Sequence, residues 1–237
     1  MPHNTVLLLA RADNGPVPTA FQPGRLNSSD PFGEGRHIAV MHDDGIAAGT
    51  LQLRGTLNVE QYPFTEMLVV HRGVVTLQGA AEPVEVHPGQ AVVVGRGTAL
   101  RITASPDSLC AFCTATLAGG ENKPGIFPID PRAVLAPSAS LEAAVLIGPA
   151  PQCRANNLFE DSASPLRIGV WDSTPYNRIA RAHKVHELMH VLEGTVELTD
   201  ADGSGLTLKP GDSVFVSKGT VCAWTSKVYV RKFYSVA

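Results

Sequence analysis

The feature that most limits what this chain can fold into is an internal repeat. Glu66-Met-Leu-Val-Val-His-Arg-Gly73-Val-Val-Thr-Leu77 aligns with Glu187-Leu-Met-His-Val-Leu-Glu-Gly194-Thr-Val-Glu-Leu198, an offset of 121 (187 − 66). Pro88-Gly89, Val92, Val94 and Gly97-Thr98 align with Pro210-Gly211, Val214, Val216 and Gly219-Thr220, an offset of 122 (210 − 88). One residue of loop length accounts for the change. Two copies of one unit in tandem are implied. Each copy consists of short alternating segments rich in Val, Leu and Thr, punctuated by Gly and Pro turns. That pattern predicts β-strands and little helix, in an antiparallel barrel or jelly roll that protects its edges by closing or stacking sheets. The boundary is placed at 1–125 and 126–237. The Pro- and Gly-rich stretch between the copies carries one expected short helix, Ser138 to Ala144.

Composition agrees and removes several function classes. Hydrophobic residues make up 44% of 237, enough for a core in each copy. Gly (22) and Pro (18) are abundant, as many tight turns require. With a net charge of −3 and no Arg/Lys stripe, no nucleic-acid partner is expected. The longest apolar run near the start, Val6 to Ala10, is too short for a membrane span or signal core, so a cytoplasmic protein is expected. Thr5 to Ala10 instead reads as an arm that covers an exposed sheet edge, and a homodimer is expected on the same ground. The four cysteines match no disulfide framework. Cys110 and Cys113 point to opposite faces of a strand and read as core residues.

Chemistry concentrates in the second copy. Counting by two along a strand puts Arg181, His183, Val185, Glu187 and Met189 on one face. A guanidinium, an imidazole and a carboxylate then share an otherwise apolar neighbourhood, which is costly unless they are paired or used. Asn177 and Ile179 continue that face, and Trp224 and Tyr234 fall on strands facing the same barrel. His186 and His190 lie on the opposite face, towards an interface. In the first copy the matching positions are Glu60, Tyr62, Glu66 and Leu100, a poor set for any transition metal. That copy reads as structural, with its pocket filled or repurposed.

The two blocks of the second copy resemble the paired motifs of the cupin family, in its Cupin_3 or DUF861 branch. Glu187 and Gly194 fall on the Glu and final Gly of the first motif, and His183 on its second His. Arg181 stands where the first His would be, and Cys222, after Lys209-Pro-Gly-Asp212 and Gly219-Thr220, where the second motif places a His. Gly169-Val-Trp171-Asp-Ser-Thr174-Pro175 resembles the approach segment of the same branch. The resemblance implies an all-β fold of two tandem RmlC-like jelly-roll barrels. It also implies a metal site at His183, Glu187 and Cys222 for a divalent ion, Zn or Fe given the thiolate. Arg181 would then hold the carboxylate of a bound anion.

Two-cupin chains of this length are further similar to the (S)-ureidoglycine aminohydrolases, whose metal lies in the C-terminal barrel. Two readings stand side by side. One is a metal-dependent hydrolase or lyase acting on a small polar carboxylate or ureido metabolite, with Arg181 and Glu187 in the catalytic roles. The other is a metal-free cupin that binds a small organic anion without catalysis.

Overall fold

The computed structural model describes residues 6–139, 141–160 and 162–237. The first copy runs β1 (Val6–Ala10), β2 (Gln22–Pro23), β3 (Arg36–Met41), β4 (Ile46–Val59), β5 (Thr65–Arg72), β6 (Val75–Gln78), β7 (Val84–Val86), β8 (Ala91–Gly95) and β9 (Leu100–Ala115). The chain continues through β10 (Gly125–Ile129), β11 (Ala136–Pro137), β12 (Leu146–Ile147), β13 (Cys153–Glu160), β14 (Arg167–Ser173), β15 (Tyr176–Ala182), β16 (Glu187–Glu193), β17 (Val196–Asp200), β18 (Gly205–Leu208), β19 (Ser213–Val216), β20 (Val221–Ser226) and β21 (Val230–Val236). The fold is all-β. The described part of the expected helix at Ser138 to Ala144 is not α-helical; a single 3-10 turn spans Ala143–Val145, and Ser140 lies outside the described residues. Among the described residues no helix is long and apolar enough to cross a membrane.

The repeat of the sequence reappears in the order of the two large sheets. One sheet is ordered β10-β8-β5-β9-β4-β3-β2 and the other β1-β19-β16-β21-β14-β13-β11. In the first copy the long strands β4 and β9 pass a register shift between Leu53 and Gly55 and carry on into a second layer with β6 and β7. The second copy builds that layer from separate strands, in the order β12-β15-β20-β17-β18. Each copy is therefore a two-layered jelly roll whose inward side chains alternate with outward ones.

Three apolar clusters are formed among the described residues. One occupies the first barrel around Leu51, Phe64, Leu68 and Phe112. One occupies the second around Met189, Val191, Leu198, Cys222 and Trp224. The third joins the copies through the outer faces of the two large sheets, with Met67, Val69 and Val93 against Ile168, Leu188, Phe215 and Phe233. Cys110 belongs to the first barrel and Cys113 to the seam, on opposite faces of β9 as their spacing requires.

The sheet edges are exchanged between copies. β1 leads the first copy but pairs with β19 of the second, Val6 opposite Val216. β10 stands 119 residues later (125 − 6) and pairs with β8 of the first copy, Gly125 opposite Gly95. The arm read at Thr5 to Ala10 thus covers an edge within its own chain; Thr5 itself lies outside the described residues. Arg11 and Ala12 then fasten the arm to Asp212, at 3.5 and 3.0 Å.

His186 and His190 face this seam. His190 Nδ1 and His71 Nε2 share the hydroxyl of Ser213 at 2.9 and 2.8 Å. His186 contacts Asp44 at 3.1 Å and lies against the His42 ring, 4.1 Å between centroids.

Candidate functional site

In the first barrel the place of a ligand is taken by the chain itself. Glu66 is fully buried and receives Arg36 in a two-pronged pair at 2.6 and 3.2 Å, with the Tyr62 hydroxyl donating to the same carboxylate. Asp30 adds a second carboxylate 2.8 Å from Arg36, and Phe112 lies 4.4 Å from the guanidinium. Burial alone would lower the Arg36 pKa, but Glu66, with Tyr62 and Asp30, outweighs it and raises it. Glu60 points to solvent, while Tyr62, Glu66 and Leu100 are buried, Leu100 as part of the apolar filling of the barrel.

The second barrel keeps a cavity of about 430 Å³. Its walls carry Trp171, Tyr176, Trp224 and Tyr234, together with Arg167, Arg178, Arg181, Lys184 and Lys232. Glu187 is the one carboxylate among the described residues that line it.

The sequence placed Arg181, His183 and Glu187 on one straight strand; the structure divides that strand. β15 ends at Ala182, the chain bends through His183 to His186, and β16 begins at Glu187. The bend folds His183 back so that its Nε2 meets Glu187 Oε2 at 2.9 Å. The other oxygen, Oε1, accepts a hydrogen bond from Lys232 Nζ at 2.7 Å. Burial would raise the Glu187 pKa, but Lys232 and His183 together hold it well below the usual carboxylate range.

A bulge corrects the next expectation. Between Arg178 and Arg181 β15 carries one residue more than its partner: Arg178 faces Trp224, yet Arg181 faces Cys222. One extra residue exchanges the two faces. Arg178 and Arg181 therefore share the cavity face, while Ile179 is 44% exposed and neither it nor Asn177 lines the cavity. Trp224 and Tyr234 do line it, as expected. Tyr234 donates to Asn157 Oδ1, and burial pushes its hydroxyl up to about 12.

Cys222 is 1% exposed and sits under Arg178, whose Nη2 donates to the Cys222 carbonyl at 3.2 Å and lies 3.8 Å from its sulfur. Burial raises the thiol pKa against the pull of Arg178. Among the described residues no three His, Cys, Asp or Glu side chains are grouped to hold a metal ion. The donors of the expected set do not fit one. Both oxygens of Glu187 are engaged by N–H groups, the buried thiol lies under the Arg178 guanidinium, and a lysine ammonium already supplies the positive charge.

Arg178 and Lys232 escaped the sequence reading for different reasons. A bulge leaves no mark in a single sequence, so Arg178 had no signal. Lys232 had one: it is two residues from Tyr234 and so shares its face.

Residues 161–234 match the model of the EutQ-like cupin domain. A protein of unknown function from Pseudomonas syringae pv. tomato str. DC3000, placed in the DUF861 family, is 55% identical over 98% of this chain and 99% of its own, with a TM-score of 0.97. A cupin 2 conserved barrel domain protein from Leptotrichia buccalis covers 84% of this chain and 86% of its own at 10% identity and TM-score 0.56. A putative glyoxylate induced protein from Pseudomonas aeruginosa covers 82% and 75% at 13% identity and TM-score 0.52. These two share the fold. No curated protein matches the sequence. The repeat, the paired jelly rolls and the near-complete match to the Pseudomonas syringae protein converge: the chain belongs to the DUF861 family and folds as a cupin.

Proposed function

We propose that the second barrel binds a small organic anion, a carboxylate of metabolite size, and does so without a divalent ion. The observation that carries this reading is Arg178. Its side chain is buried, 6% exposed, and has no carboxylate partner among the described residues; its hydrogen bonds there go to the carbonyl and the thiol of Cys222. An uncompensated buried charge is expensive, and an incoming anion removes that cost. Arg181, half-buried on the same face, makes no hydrogen bond or ion pair among the described residues and supplies a second guanidinium. The cavity volume suits a small ligand held mainly by aromatic walls and oriented by a few polar groups.

Hydrolysis of a ureido metabolite on a metal, the activity that the ureidoglycine aminohydrolase resemblance implies, calls for donors that Lys232, His183 and Arg178 have already engaged. The binding reading needs no such rearrangement.

The test is calorimetric titration of the protein with small carboxylates, beside the Arg178→Met variant. Wild type is expected to bind, and the variant to lose about 2–5 kcal/mol of affinity. Without ligand, Arg178→Met should be at least as resistant to urea as wild type, because a buried, unpaired charge is gone. A variant that binds carboxylates as well as wild type would overturn the assignment.

A further inference from the structure

The cavity has a second polar centre of a different electrical character. Lys232 is 6% exposed and its ammonium is fixed on three sides: Glu187 at 2.7 Å, the Trp171 ring at 4.9 Å and the Trp224 ring at 5.4 Å. A lysine ammonium carries three N–H groups. One is given to Glu187, and the other two have no oxygen acceptor among the described residues. The side chain lines the cavity that Arg178 and Arg181 also line.

The charges at the two centres differ. Neither Arg178 nor Arg181 makes an ion pair among the described residues, Arg181 feeling the exposed Glu142 carboxylate only at longer range, and so the two match an anion. Lys232 is already neutralised by Glu187, whose carboxylate would repel a second negative group placed beside it. What this centre lacks is an acceptor, not a charge. A neutral oxygen, hydroxyl or carbonyl, meets that need, and hydrogen bonds from a charged donor are the stronger kind.

We infer that Lys232 reads a second, uncharged oxygen of the bound anion, so that the ligand is a hydroxy or oxo carboxylate and not a simple acid or a dicarboxylate. The inference rests on the anion-binding reading above. The Lys232–Glu187 pair thereby becomes the specificity element of the barrel: the arginines take the carboxylate, the ammonium selects on the oxygen near it, and the Trp, Tyr and Leu141 surfaces take the apolar remainder.

The experiment uses three acids that differ at one position, titrated calorimetrically into the full chain: 3-phenylpropionate, 3-phenyllactate and benzylmalonate, which place hydrogen, hydroxyl and carboxylate on the same carbon. Phenyllactate is expected to bind at least about 10-fold more tightly than phenylpropionate, with benzylmalonate no tighter than phenylpropionate. Lys232→Met alone strands a buried carboxylate, so the informative variant is Lys232→Met with Glu187→Gln. There the hydroxyl preference should shrink to within about 2-fold while phenylpropionate affinity holds. Equal binding of the three acids by wild type, tightest binding of benzylmalonate, or a preference that survives in the double variant would overturn the inference and leave the anion site standing. Failure of all three to bind overturns both.

Discussion

At the scale of single residues, the two copies give opposite answers to one problem, a polar group inside a barrel. The first copy closes its account internally: Arg36 is matched by Glu66 and Asp30 and covered by Phe112, and the Tyr62 hydroxyl donates to Glu66. The second leaves Arg178 and Arg181 without an ion-pair partner among the described residues. The consequence for the first copy is measurable. Glu66→Ala leaves a buried guanidinium with half its counter-charge, and should cost about 3–5 kcal/mol in urea unfolding while leaving carboxylate binding in the second barrel intact. A loss below about 1 kcal/mol would show that the network is not what holds that barrel together. Residue identity was the legible part here. The sequence singled out Arg181, His183 and Glu187, and the last two touch. It did not show that Glu187 would be shared with Lys232, because β16 and β21 become neighbours only through a long-range pairing.

At the scale of elements, turns were legible and strand faces were not. Asp43-Asp44-Gly45, an Asp-Gly turn signal in the sequence, forms a hairpin turn, with Gly45 at φ 85° and His42 N–H bonded to Ile46 carbonyl at 2.8 Å. The repeat's shared Gly73 and Gly194 both sit at positive φ, 74° and 80°. Counting by two failed where a strand stops being regular, at the bulge of β15 and at the bend His183 to His186, and both failures fell on the site. Bulges occur where a fold must redirect a side chain, and here the extra residue brings two arginines onto one face. The glycine turn offers a test at this scale. A Cβ on Gly194 would adopt strained backbone and would also stand 1.9 Å from the Tyr229 carbonyl oxygen. Gly194→Ala should therefore lower stability by more than the roughly 1–3 kcal/mol of strain alone, read as a shift in thermal midpoint. A shift of less than a degree or two would mean the turn is free to move.

At the scale of the whole molecule, the seam between the copies makes stability depend on pH. Burial lowers His71 to about 4, and burial with the neighbouring His71 lowers His190 to about 3. Burial likewise lowers His42 and His186, against the opposing pull of Asp44. The unfolded chain takes up these protons near 6.5, before the folded protein does, so acid favours unfolding. Stability should be level above pH 6.5 and fall between pH 6.5 and 4. For the His71 and His190 pair the slope should reach about 2.7 kcal/mol per pH unit. Urea midpoints measured across that window should show the fall in wild type and a shallower one in His71→Asn/His190→Asn. The Glu187 carboxylate adds to the loss as pH falls through about 4.5, where the unfolded group protonates and the folded one does not. Equal slopes in both proteins would remove the seam histidines from the account.

The exchanged edge strands carry a consequence for how such a chain came to exist and how it can be divided. Each half lends its leading strand to the other, β1 to β19 and β10 to β8. Cut in two at the linker, neither fragment would hold a complete sheet, and each would expose a raw edge shaped for its sibling. The smallest autonomous unit is thus the tandem pair, and the two fragments are complements, not modules. A single ancestral copy would have satisfied the same edge only by trading arms with a twin. Duplication and fusion would turn that trade from an encounter between molecules into an internal certainty, and leave the second copy's pocket free to diverge while the first served as its brace.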